Sequence, residues 1–200
     1  MSNGDAHEVV LTFLTAPSFV TAQTKGPDGW VASTGRGGLD ALPESVVFVK
    51  ERRLLDRAAY NTRFTTRAGM RMRYTLSLIQ EHDGAWQVMG GAGGAAEGQP
   101  ENALKRGHAY ANLGGGGFSR QFYAGGAIEE DNGAVARVRL RAANGVEMED
   151  TVNQGEVLFI TDDVVQIPLE VELYDGAGNL IGRHTLFTFT PWSRSSIPTA

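Results

Sequence analysis

Val135-Ala136-Arg137-Val138-Arg139-Leu140-Arg141, Val146-Glu147-Met148-Glu149, Val157-Leu158-Phe159-Ile160, Leu169-Glu170-Val171-Glu172-Leu173-Tyr174 and Leu180-Ile181 are the runs, all within residues 134–183, whose reading decides the fold. Apolar residues recur at every second position, the period of a strand that buries one face. Between the runs stand Asn144-Gly145, Gln154-Gly155 and Asp175-Gly176. Such dipeptides supply the positive φ that tight hairpins demand, so the stretch reads as antiparallel sheet.

Working outward, Phe118-Ser119-Arg120-Gln121-Phe122-Tyr123 precedes these strands and Thr185-Leu186-Phe187-Thr188-Phe189-Thr190 follows them. Six or seven strands at spacings of roughly ten residues predict an immunoglobulin-like sandwich over 118–190. A Pro/Ser tail, 191–200, is expected to fray. Upstream, Val46-Val47-Phe48-Val49 opens a second β-rich region. Residues 58–66, 70–79 and 85–89 read as a three-stranded meander with turns at 67–69 and 82–84. In its middle strand Met70, Met72, Tyr74, Leu76 and Leu78 share one face, expected to be core. Arg71, Arg73, Thr75 and Ser77 share the other, expected to be solvated.

Asp5 and Glu8 have capping-box spacing before Val9, Val10, Phe13 and Leu14, which predicts a helix over 6–15 that Pro17 stops. Residues 24–38 read as loop. Glycine density at 90–94 and 114–117 marks a boundary, because each glycine costs extra backbone entropy to order. The expected organisation is therefore a helix-plus-meander unit (1–95), a Gly-rich connector (96–117), the sandwich and the tail. One larger sandwich built from both halves is the competing architecture.

Residues 126–131, 135–140, 143–145, 155–159 and 172–181 together resemble the sandwich modules of uncharacterised proteins from high-GC Gram-positive bacteria. The segment 85–94 is similar to the strand that precedes such modules. The resemblance rests on turn and core residues; it implies a fold and carries no activity.

Composition narrows the chemistry. The chain of 200 residues has no cysteine, which excludes disulfides, thiolate catalysis and Cys-ligated metal. No apolar run reaches the roughly 18 residues of a membrane helix, and the N-terminus lacks a basic leader region, so a cytoplasmic location is expected. Residues 1–100 hold ten basic and ten acidic side chains, whereas residues 101–200 hold eight and thirteen. The whole net charge of -5 thus sits in the second half.

Nucleophile elbows, phosphate loops and dinucleotide fingerprints are absent. The four histidines stand singly, with no spacing that puts two imidazoles on one face. His184 with Asp175 and Ser195 or Ser196 is the one conceivable triad. Three acidic clusters, Glu129-Glu130-Asp131, Glu147-Glu149-Asp150 and Asp162-Asp163, could gather at sandwich ends around calcium, although the dedicated loop spacing is missing. No cofactor is expected.

The densest signal is basic: Lys50, Arg52, Arg53, Arg57, Arg63, Arg67, Arg71 and Arg73 against only Glu51 and Asp56. Arg63, Arg71 and Arg73 are expected on the meander's open face, as contacts for a protein partner or for the acidic half of a second copy. The expectation is a non-catalytic binding or assembly module using sheet faces and edges. The alternatives are a small-molecule-binding protein or hydrolase/isomerase with its pocket in the first unit and His82 or Asp83 as base, and a single-stranded nucleic-acid binder through the basic face. The negative net charge weighs against the last.

Overall fold

The computed structural model describes residues 5–17, 22–25, 31–34, 38–95, 109–117, 121–130 and 134–187. Helix α1 spans Ala6–Thr15, where the sequence predicts it. The Asp5 carboxylate accepts the His7 N–H as its N-cap, and Ala6, Val10 and Leu14 form its buried stripe. Strands β1 (Ala22–Lys25) and β2 (Val31–Thr34) pair antiparallel, β2 within the segment read as loop and β1 across its start. Both are four residues long and small or polar in composition, so no alternating pattern announced them.

The first large sheet is a four-stranded meander, β3 (Val47–Leu54), β4 (Arg57–Thr65), β5 (Arg71–Gln80) and β6 (Trp86–Ala95), in that order. One more strand is present than the sequence predicts, because the Val46 segment runs on to pair with β4 along its length. The second half comprises β7 (Tyr110–Gly116), β8 (Phe122–Glu129), β9 (Val135–Ala142), β10 (Glu147–Thr151), β11 (Glu156–Thr161), β12 (Leu169–Asp175) and β13 (Leu180–Leu186). These make a three-stranded sheet, β11-β8-β7, and a four-stranded sheet, β10-β9-β12-β13. All pairings are antiparallel, and the chain is mainly β. No helix among the described residues is long and apolar enough to cross a membrane.

The turn grammar holds at Gln154-Gly155, where both residues have positive φ (49° and 75°) and Asn153 and Glu156 exchange backbone hydrogen bonds. That is the primed hairpin turn whose twist matches its strands. It hands the chain from the edge of one sheet, β10, to the edge of the other, β11.

Three sheets stack in layers, and the three-stranded one lies in the middle. Phe122, Ala124, Val157 and Phe159 face Val138, Leu140, Val171 and Leu173 of the outer four-stranded sheet. From the other face of the same strands, Tyr123 and Leu158 pack on Ala59 of the meander. A sheet covered on both sides needs near-continuous apolar strands, which is what Val157-Leu158-Phe159-Ile160 supplies. The meander's far face carries Tyr60, Phe64, Leu76 and Leu78 against α1.

Two expectations are corrected. The meander face expected to be solvated is covered over most of its length: Asn61, Thr75 and Ser77 are at most 5% exposed, packed toward β8 and β11, while Arg71 at the start of β5 stays exposed. The two glycine runs read as a boundary are strand: residues 90–94 continue β6 and 110–116 are β7, while residues 96–108 of the expected connector lie outside the described ones. Close packing explains these glycines. A Cβ at Gly91 or Gly93 would run into Tyr74, one at Gly114 into Ala92, and one at Gly90 would sit 3.1 Å from the Tyr123 hydroxyl.

Gly125 lies at the centre of the stack, where a Cβ would meet Asn61 Oδ1, Thr75 Oγ1 and Leu158 Cδ1. Gly125→Ala is expected to destabilise by about 1–3 kcal/mol, the usual cost of overpacking. A lowered urea midpoint at unchanged slope would report it; an unchanged midpoint would contradict the close packing of these layers.

Candidate functional site

The charged residues that the sequence sets apart lie mostly between the layers. A bulge between Phe48 and Lys50 switches the parity of β3, so Phe48, Glu51 and Arg53 turn toward α1 while Lys50 and Arg52 turn toward the sandwich. On β4 and β5 the odd positions face the same way. The result is a seam of cations along the meander.

Across it stand carboxylates of the second half. Asp150, whose side chain is 2% exposed, accepts both Lys50 Nζ and Arg52 Nη2 and also the Leu158 N–H at 2.7 Å. Lys50 caps the Thr151 carbonyl as well. Glu156, equally buried, accepts Arg63 Nε at 2.6 Å, with Arg73 Nε at 3.8 Å, and Arg63 extends to the Gln154 carbonyl. Arg57 pairs with Asp162 at the rim. Between these anchors Asn61 donates to the Val157 carbonyl and accepts the Thr75 hydroxyl, both at 2.8 Å. Desolvating a carboxylate costs several kcal/mol, and here each buried one is met by two cations.

The three arginines expected to contact a partner thus separate. Arg63 and Arg73 meet Glu156 of the same chain, and Arg71 is exposed at the start of β5 opposite Thr65. The nucleic-acid alternative needs the meander face open, and that face is covered by β8 and β11.

On the opposite face a second cluster joins α1 to the sheet. His7 Nε2 lies 2.8 Å from Glu51 Oε2, Arg53 Nε 2.5 Å from Glu51 Oε1, and the Tyr60 hydroxyl donates to the same oxygen at 3.1 Å. The His7 ring stacks on Phe48, and Arg53 lies over Trp86. Burial alone would raise the Glu51 carboxyl, but the hydrogen bonds from Arg53, His7 and Tyr60 outweigh it and hold the group below the usual carboxylate range. Burial, with the Glu51 charge beside it, pushes the Tyr60 hydroxyl up to about 12. The chemistry is that of a clamp: a fixed carboxylate, a fixed donor and a helix tied to a sheet.

The other candidates are absorbed into local structure. His82 is exposed in its turn, and Asp83 caps the Ala85 N–H. His184 stacks on Tyr110 with its Nε2 3.2 Å from the Ala111 carbonyl, whereas Asp175 binds the N–H groups of Ala177 and Asn179 in its own turn. Ser195 and Ser196 lie outside the described residues. No group of three or more metal-ligating side chains occurs among the described residues.

The outward face of β10-β9-β12-β13 carries a ladder of ion pairs, which takes up Glu147 and Glu149 of the expected acidic cluster. Glu147 pairs with Arg141 at 2.8 Å and Glu149 with Arg137 and Arg139 at 3.0 and 3.2 Å. Arg139 and Arg183 flank Glu172, and Arg137 lies 4.7 Å above the Tyr174 ring. The Tyr174 hydroxyl, then Arg183, hold the Glu172 carboxyl below the usual range against the opposing effect of burial. Alternating residues in β9, β10 and β12 were the available signal; which strands adjoin was not.

No family model, curated protein or solved structure matches the chain.

Asp150→Ala strips Lys50, Arg52 and the Leu158 N–H of their common partner. The expected loss is about 3–5 kcal/mol in urea unfolding, against roughly 0–1 kcal/mol for the exposed ladder residue Glu149→Ala. Equal, small losses at both positions would contradict the seam's structural role.

Proposed function

We propose that the chain is a non-catalytic assembly module that makes protein contacts through sheet edges, and that its second half is an immunoglobulin-like sandwich. Seven consecutive strands in the orders β7-β8-β11 and β10-β9-β12-β13 support the sandwich reading. Relative to the constant-type arrangement, only the fourth strand, β10, has moved to the opposite sheet. Fold alone is an associational warrant for function, so the argument rests on the edges.

One observation carries it. Among the described residues no further strand pairs with the outer sheet beyond β10 at one edge and β13 at the other. Open edges carry outward N–H and C=O groups that accept another strand. Asp83, His184 and Asp175, read as candidates for chemistry, are engaged within the molecule as a cap, a stack and a turn. What this architecture offers a partner is a stiff sheet with two strand edges.

Molar mass by light scattering after size exclusion tests the reading. Species heavier than the 21.5 kDa chain, growing with concentration and shrinking at high salt, are expected. A monomer at every concentration and salt would contradict self-assembly.

A further inference from the structure

The charges of the outer sheet alternate by strand: acidic on β10 (Glu147, Glu149), basic on β9 (Arg137, Arg139, Arg141), acidic on β12 (Glu170, Glu172) and basic on β13 (Arg183). An even number of strands leaves unlike charges at the two edges. Resting on the assembly reading, we propose that the occupant of each edge is a second copy of this chain, with β13 of one copy adding to β10 of the next so that the acid-base alternation continues across the junction.

Direction permits it. Each neighbour in β10-β9-β12-β13 is antiparallel, so β13 runs with β9 and against β10. A copy placed beside the first without being turned over therefore presents an antiparallel edge, with the charged faces on the same side.

Backbone parity permits it too. Ala142 N–H donates to the Val146 carbonyl and Val152 N–H to the Ala136 carbonyl, so even residues of β10 bond β9 and Glu147 and Glu149 turn their backbone groups outward. Carried across the registers, odd residues of β9 turn to β12, odd residues of β12 turn to β13, and Arg183 and Thr185 turn outward. Setting Arg183 opposite Glu149 then sets Thr185 opposite Glu147 as exchanging pairs. On the other face it brings Leu186 beside Val146 and His184 beside Met148, all half-buried against the sandwich core or its rim. The Thr151 carbonyl is already taken by Lys50, which limits the pairing to the first part of β10.

The same charges reject the alternatives. Two β10 edges would oppose Glu147 and Glu149 with their like, and two β13 edges would bring Arg183 toward Arg183, which disfavours a two-fold dimer through either edge. The contact is head-to-tail, so it propagates into rings or open arrays.

The absence of cysteine makes the register testable by cross-linking. Residues 147 and 185 are exposed, and directly opposed, hydrogen-bonded strand residues stand about 5.5 Å apart at Cα, within disulfide reach. Glu147→Cys and Thr185→Cys chains, each first shown to keep the parent circular dichroism and melting, are oxidised alone and as an equal mixture. The expected result is a disulfide-linked dimer in the mixture only, and linked species longer than a dimer from a chain carrying both substitutions. Linkage of either single variant with itself to the same extent, or no linkage in the mixture, overturns the proposal. If light scattering shows oligomers while the mixture does not link, this register falls and the assembly reading stands. If the chain is monomeric at every concentration, both fall.

Discussion

Two carboxylates shut away between sheets, Asp150 and Glu156, set the constraint on which the rest of the structure depends. A buried anion is tolerated only where cations and N–H groups replace water, and the basic run of β3, β4 and β5 provides them. Asp150 sits on the last strand before the Gln154-Gly155 turn, and Glu156 on the first residue after it. The hairpin that joins the two sandwich sheets is therefore also the point at which the meander docks. Ion pairs of this kind add little net energy relative to an apolar seam, but removing one partner leaves the other charge buried and unpaired, so the two surfaces must meet together.

From that seam the layering follows. The three-stranded sheet must be apolar on both faces, with Val157 and Phe159 toward one core and Leu158 toward the other. The meander must be polar toward the sandwich and apolar toward α1: its apolar face is the core its alternating pattern predicts, and the polar face is covered rather than solvated. The outer sheet keeps its outward face in water, and there the charges pair across strands.

Much of this was legible in the sequence. Period-two runs located most strands, Asp5 located the start of α1, and Gln154-Gly155 announced a hairpin whose dihedral angles are those the dipeptide implies. What escaped did so for physical reasons. Alternation marks two faces but not what covers the second, so Thr75 and Ser77 read as solvated. Glycines chosen for close approach to Tyr74 look like those of a linker, so 90–94 read as a boundary. A buried carboxylate is written with the same letter as an exposed one. The uneven charge of the two halves did point to attraction between a basic and an acidic surface; sequence could not say that Arg63 and Arg73 satisfy it within one chain.

Scanning calorimetry of the intact chain tests most directly whether the seam makes meander and sandwich one cooperative body. The account predicts a single transition whose calorimetric enthalpy equals its van't Hoff enthalpy. Two resolved transitions in the parent chain, unmoved by Asp150→Ala, would contradict it.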